Sequence, residues 1–208
     1  MKKQLRNFLT RAGIVLAMVS IAISCKKDQS APLQATQATD IHITPNTSRV
    51  TYQLIWSDEF NGTSVDGTKW TMETGNPGVN NEKEYYQASN ATVTGGNLVI
   101  TAKNQSVGGF PYTSARMNTS GKFSCQYGRI EASIKLPAFQ GSWPAFWMLG
   151  TNINSVGWPQ CGEIDIMEQI NTASTIYGTI HWFNNGNAQY GGTTTTSVTG
   201  YHLYAVQW

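Results

Sequence analysis

From Tyr52 onward, short apolar runs rich in Val, Ile, Thr, Tyr, Phe and Trp alternate with Gly, Asn and Ser clusters. The pattern predicts strands over 52–59, 69–73, 97–103, 112–118, 128–136, 145–149, 163–168, 175–183 and 201–208. Asn61-Gly62, Asp66-Gly67, Gly95-Gly96, Gly108-Gly109, Asn185-Gly186 and Gly191-Gly192 read as the turns between them. One strand is legible in detail. Ile130, Ala132, Ile134 and Leu136 alternate with Arg129, Glu131, Ser133 and Lys135, which describes an antiparallel strand with one buried and one wet face. Arg129 and Glu131 then read as a cross-strand ion pair on the wet face. No heptad, long amphipathic helix or repeat is present. Many short strands with regular turns predict an all-β fold, a sandwich or a barrel.

The first 50 residues follow other rules. Lys2, Lys3, Arg6 and Arg11 precede an apolar run over 12–24. At 13 residues this run is shorter than the roughly 20 a spanning helix needs, and it fits the apolar region of an export signal. A buried N-terminal helix is the alternative, but nothing amphipathic follows. Ala22-Ile23-Ser24-Cys25 resembles a bacterial lipoprotein box, with Lys26-Lys27-Asp28 after it as in leaders of the Bacteroidetes type. The resemblance implies lipidation at Cys25; ordinary cleavage would leave a thiol there. Residues 25–50 are polar, rich in Thr, Gln and Ala, and read as a flexible tether with a reach on the order of 30 Å. His42 within it reads as solvated.

Charge changes the picture only through this leader. The formal net charge is +2, with 14 basic and 12 acidic residues. Four of the basic residues lie in the first 24 positions, so ten face all 12 acids in the remainder. A nucleic-acid-binding surface is therefore not indicated. Only 12% of the chain is charged and 11% is aromatic, a balance suited to an exported protein that handles neutral polymers.

The candidate chemistry lies in Gly162-Glu163-Ile164-Asp165-Ile166-Met167-Glu168. On a strand Glu163 and Asp165 share a face, with Ile164 and Ile166 on the other. Glu168 falls out of phase unless a β-bulge near Ile166-Met167 returns it to that face. A row of three carboxyls needs a metal, a shared proton or a functional cause. The two glutamates, four strand steps apart, have Cα atoms about 13 Å apart, and inward-leaning side chains would bring their carboxyls to roughly 5.5 Å. That is the separation at which one carboxylate attacks an anomeric carbon while the other delivers a proton. E-x-D-x-x-E strings also occur in acidic surface segments and calcium loops, but Ile, Ile and Met are unlike a solvated loop. Trp143, Trp147 and Trp158 flank the acidic strand. Indole faces stack on the apolar C–H faces of sugars, although one or two of the three could serve the core.

These residues resemble glycoside hydrolase family 16, and within it the laminarinase-like endo-β-1,3-glucanases. The likeness runs through Ile55-Trp56-Ser57-Asp58-Glu59-Phe60-Asn61-Gly62, Asn80-Asn81-Glu82 with Tyr85-Tyr86, Gly96-Asn97-Leu98, and Tyr127-Gly128-Arg129-Ile130-Glu131-Ala132. It continues through 143–149, Gly157-Trp158-Pro159, 163–168 and Tyr177-Gly178-Thr179-Ile180-His181. The resemblance implies a concanavalin A-like jelly-roll sandwich of two antiparallel sheets with a long cleft. It implies Glu163 as nucleophile, Glu168 as general acid/base and Asp165 as modulator of their protonation, with Met167 the extra residue of a bulged motif. Trp143, Trp147 and Trp158 would line sugar subsites, with Asn81, Arg116 and His181 as polar contacts. For Arg116 a strand-edge ion pair, and for His181 a hydrogen bond beneath the cleft, are equally open. His202 reads as structural. No metal is needed for catalysis; a structural calcium ion near Glu59 and Gly96 stays open, as does pairing of Cys125 with Cys161.

The expectation is thus a leader over 1–24, a tether over 25–50 and a catalytic domain over 51–208 that lacks the family's C-terminal strands, with exposed apolar faces as the consequence. The expected partner is a β-glucan, met by a monomer that touches a membrane only through its lipid. A β-1,3-1,4-glucanase, a galactan hydrolase and a non-catalytic glucan-binding module are the alternatives.

Overall fold

The computed structural model describes residues 51–208 and the backbone of residues 21–24. Cys25, the tether with His42, and positions 1–20 of the leader lie outside the described residues.

In chain order the strands are β1 (Ile21–Ser24), β2 (Leu54–Asp58), β3 (Thr71–Met72), β4 (Glu84–Tyr86), β5 (Ala91–Thr94) and β6 (Asn97–Ile100). They continue as β7 (Lys103–Val107), β8 (Phe110–Ser114), β9 (Met117–Asn118), β10 (Arg129–Lys135) and β11 (Ala145–Leu149). The last four are β12 (Glu163–Gln169), β13 (Thr175–Phe183), β14 (Asn187–Thr195) and β15 (Tyr201–Gln207). One four-stranded sheet runs β15-β10-β1-β2 and another runs β11-β12-β13-β14. Their pairings are antiparallel throughout. The segment read as the end of the leader is thus paired between β2 and β10. Among the described residues no helix is long and apolar enough to cross a membrane.

Alternation builds the core. In β10 every second residue is buried, and Ile130, Ala132 and Ile134 join Leu136 just beyond the strand, Met167 of β12, Ile176 of β13 and Tyr204 of β15 in one cluster. Both large sheets contribute, so the molecule is a sandwich closed by apolar inner faces. Ile180 and Trp182, on the Ile176 side of β13, stay exposed. A smaller cluster of Phe60, Val93 and Leu98 meets the main one at Trp70, which packs against both.

Asp58 is the charge inside this join. It accepts from the Trp70 indole N–H at 2.7 Å and the Phe60 backbone N–H at 3.1 Å, and its carboxylate lies 3.4 Å from the Lys69 ammonium. A buried carboxylate is tolerable only when its oxygens are satisfied in this way.

Several expectations are corrected. The strand read over 97–103 is two, β6 and β7, and 112–118 is split between β8 and β9. Gly191-Gly192 is not a turn but lies inside β14, opposite Thr179 and Gly178. A Cβ at Gly191 would stand 2.7 Å from the Gly178 carbonyl, so the missing side chain permits the close pairing. Arg129 and Glu131 do form an ion pair at 2.5 Å, but along β10 rather than across to a neighbour. Two residues apart on one strand, they share its wet face.

Met167 tests the core. It is among the largest fully buried side chains, so Met167→Ala is expected to cost about 2–5 kcal/mol of unfolding free energy. Urea denaturation measures this; a loss below about 1 kcal/mol would contradict the packing described.

Candidate active site

The acidic strand β12 lies between β11 and β13. Its register sets the site. Leu149 stands opposite Glu163, Trp147 opposite Asp165, Phe146 opposite Met167 and Ala145 opposite Glu168. On the other side His181 faces Glu163, Thr179 faces Asp165 and Tyr177 faces Glu168. Both ladders slip at the same place, between Asp165 and Glu168 on β12, with Ile166 absent from the β11 pairing. This is the bulge that the spacing required. It turns Met167 into the core and brings Glu168 round to the face of Glu163 and Asp165.

These three carboxyls line one open cleft of about 310 Å³, together with Asn80, Trp143, Trp158, Thr179, His181 and Gln189. A neighbouring depression of about 260 Å³ shares Thr179 and Gln189 and is floored by Tyr177, Gly191, Gly192 and Thr193. The glycines of β14 keep that stretch free of side chains. A chain-like ligand therefore finds a groove rather than a closed pocket.

Two tryptophans reach the glutamates. The Trp143 indole N–H donates to Glu168 Oε1 at 2.7 Å, and the Trp158 indole N–H donates to Glu163 Oε2 at 2.6 Å. Asp165 is buried between them and meets His181 Nε2 through Oδ2 at 3.2 Å. Burial, then the negative charges of Glu163 and Glu168, push the Asp165 carboxyl up to about 7, and His181 partly opposes this. A proton held on Asp165 removes one negative charge from a crowded row.

The other expected residues are placed differently. Trp147 and Arg116 are not among the cleft-lining side chains. The Arg116 guanidinium lies 4.7 Å from the Trp147 ring centroid, and its Nε pairs with Glu73 at 3.1 Å. Asn118 donates to the same Glu73 oxygen at 3.0 Å. Asn81 is exposed, and it is Asn80 that lines the cleft. Both asparagines have positive φ, near 55°, in a turn where the Asn80 side-chain amide donates to Glu82 Oε1 at 3.3 Å. Asn tolerates that region better than most residues. Thr179 and Gln189 were not singled out from the sequence. Their signal was register alone, since they stand opposite Asp165 and His181 respectively.

Glu163, Asp165 and His181 are also the described residues that cluster as metal ligands do, within 4.8 Å of one another. Glu59 is exposed and belongs to no such cluster. Cys161 is half-buried, its thiol raised mainly by burial, and it donates to the Gly162 carbonyl at 3.3 Å rather than bridging to Cys125.

A β-sandwich with a carboxylate row in an open, tryptophan-flanked groove is the build of a carbohydrate-active protein. The family model for glycosyl hydrolases family 16 matches residues 78–208, and the chain belongs to that family. The catalytic domain of an endo-1,3-β-glucanase (laminarinase) from Thermotoga petrophila RKU-1 superposes with a TM-score of 0.71 at 42% identity, over 75% of this chain and 69% of that one. The jelly-roll sandwich implied by the sequence is therefore the fold. The clotting factor G alpha subunit of Tachypleus tridentatus is 47% identical over 76% of this chain and 24% of its own length. A keratan-sulfate endo-1,4-β-galactosidase of Sphingobacterium multivorum is 36% identical over 96% of this chain and 51% of its own. The chain thus spans about half or less of these two curated relatives.

The Asp165 proton has a thermodynamic consequence. An unfolded aspartate releases its proton near 3.8, whereas the folded carboxyl holds it to about 7. The folded state binds more protons across that window, so this group's contribution to stability is full at its acid end and is lost as pH rises through 7. Thermal denaturation across the window should show a downward slope that Asp165→Asn flattens. Parallel profiles for the two proteins would contradict the assignment.

Proposed function

We propose that the protein is an endo-acting glycoside hydrolase that cleaves β-1,3-glucan with retention of anomeric configuration. The observation that carries this is the cleft itself, in which Glu163 and Glu168 flank the buried Asp165 and each accepts an indole N–H. Glu163 attacks the anomeric carbon while Glu168 gives its proton to the departing glycosidic oxygen. The aglycone leaves, and a glycosyl ester to Glu163 remains. Glu168 then takes a proton from water, whose oxygen attacks the same carbon and frees Glu163. Asp165, by keeping its own proton, lets the two glutamates occupy different protonation states. The exposed faces of Trp143 and Trp158 give apolar platforms for sugar rings. Membership of the family and the likeness to a laminarinase domain support β-1,3-glucan as the substrate.

The leader supports export, with Cys25 as a lipid attachment point on the cell envelope and the tether as spacer. The chain then acts as a monomer on a polysaccharide.

A β-galactoside polymer is a second reading, favoured by the keratan-sulfate endo-1,4-β-galactosidase likeness along 96% of the chain. Reducing-end release separates the two. The whole chain, with Glu163→Gln as blank, should release reducing ends from soluble β-1,3-glucan and not from keratan sulfate. Release from keratan sulfate alone would replace the substrate; binding without release, unchanged in the blank, would make the protein a binding module.

A further inference from the structure

Trp143 and Trp158 do more at the cleft than offer their faces. Neither belongs to an apolar cluster, and they are 47% and 48% exposed. The polar contacts they make are the two indole N–H bonds to the glutamates. They reach opposite ends of the acidic strand: Trp143 lies just ahead of β11, whose Ala145 stands opposite Glu168, and Trp158 lies five residues before Glu163.

A carboxyl group has two oxygens, and an indole nitrogen is a donor only. An oxygen that accepts an indole N–H cannot at the same time carry a proton pointed at that N–H. The carbonyl oxygen of a protonated carboxyl is the better acceptor, so the Trp143 bond to Oε1 favours the transferable proton of Glu168 on its other oxygen, Oε2. While the Trp158 bond lasts, Glu163 keeps Oε1 unencumbered and Oε2 solvated by a fixed donor. We propose that Trp143 and Trp158 are positioning residues that divide the labour within each carboxyl group: the oxygen each indole leaves free is the one that reacts. Glu168 Oε2 delivers and retrieves the proton, and Glu163 Oε1 forms the bond to the anomeric carbon. This rests on the glycosidase reading above.

The division separates the two tryptophans experimentally. Trp143 acts through the proton donor, so its N–H matters in proportion to how much the leaving oxygen needs a proton. Trp158 acts through the nucleophile, which every substrate needs. Aryl β-laminaribiosides with leaving phenols of graded acidity are the probe. With an unactivated phenol, Trp143→Phe should lower kcat/KM about ten- to a hundredfold, the range for a hydrogen bond to a charged group. With a dinitrophenol, which departs without a proton, the loss should fall below about threefold by the same reasoning. Trp158→Phe should lose a similar factor with every phenol, as long as bond cleavage limits the rate.

Replacing either indole by benzothienylalanine keeps the ring and substitutes sulfur for the N–H. It should reproduce both results while the melting temperature stays at the wild-type value. Losses confined to KM, or identical leaving-group dependence for the two variants, would overturn the inference and leave the tryptophans as sugar platforms. A wild-type chain that releases no phenol from any member of the series would instead remove the glycosidase reading, and the inference with it.

Discussion

Three carboxyl groups on one face of a single strand repel one another, and the rest of the site is arranged around that repulsion. Strand geometry alone would place only Glu163 and Asp165 together. The slip at Ile166 adds Glu168 to the row and seats Met167 among the residues of both sheets. One irregularity thus joins the chemistry to the core: the bulge that aims an acid into the cleft also inserts an apolar anchor behind it. Such features persist because the surroundings over-determine them.

The charges are managed separately. Asp165, the deepest of the three, has its carboxyl pushed up to about 7 by burial and then by the flanking glutamates, and it meets His181 at 3.2 Å. Glu163 and Glu168 lie toward solvent and each receives an indole N–H. The same economy appears elsewhere. Asp58 is satisfied by an indole, a backbone N–H and a lysine, and Glu73 by Arg116 and Asn118. Arg116 in turn lies over the Trp147 ring, 4.7 Å from its centroid.

Where alternation met a half-buried strand, the sequence was readable. Strand β10 follows its alternating apolar positions, β11 and β13 occupy the ranges their apolar runs mark, and the E-x-D-x-x-E spacing announced its own bulge. What it could not carry was pairing. Strand β14 has few apolar residues and is mostly exposed, so it reads as a loop until Gly191 and Gly192 are seen to nest against Gly178 and Thr179. Thr179 and Gln189 enter the cleft through that same unseen register. Asn80 and Asn81 are indistinguishable as letters and share a left-handed backbone, yet only the first lines the cleft. The Arg116–Glu73 pair joins residues 43 apart in sequence, a contact that no local pattern announces.

The roles proposed for Glu163 and Glu168 put them at opposite ends of one bond, which fixes the stereochemistry of the product. Time-resolved proton NMR of a soluble β-1,3-glucan during hydrolysis reads it before mutarotation blurs the result. Two displacements at the same carbon predict that the new reducing end appears first as the β anomer. Appearance of the α anomer first would mean direct attack by water, and would contradict the roles assigned to both glutamates.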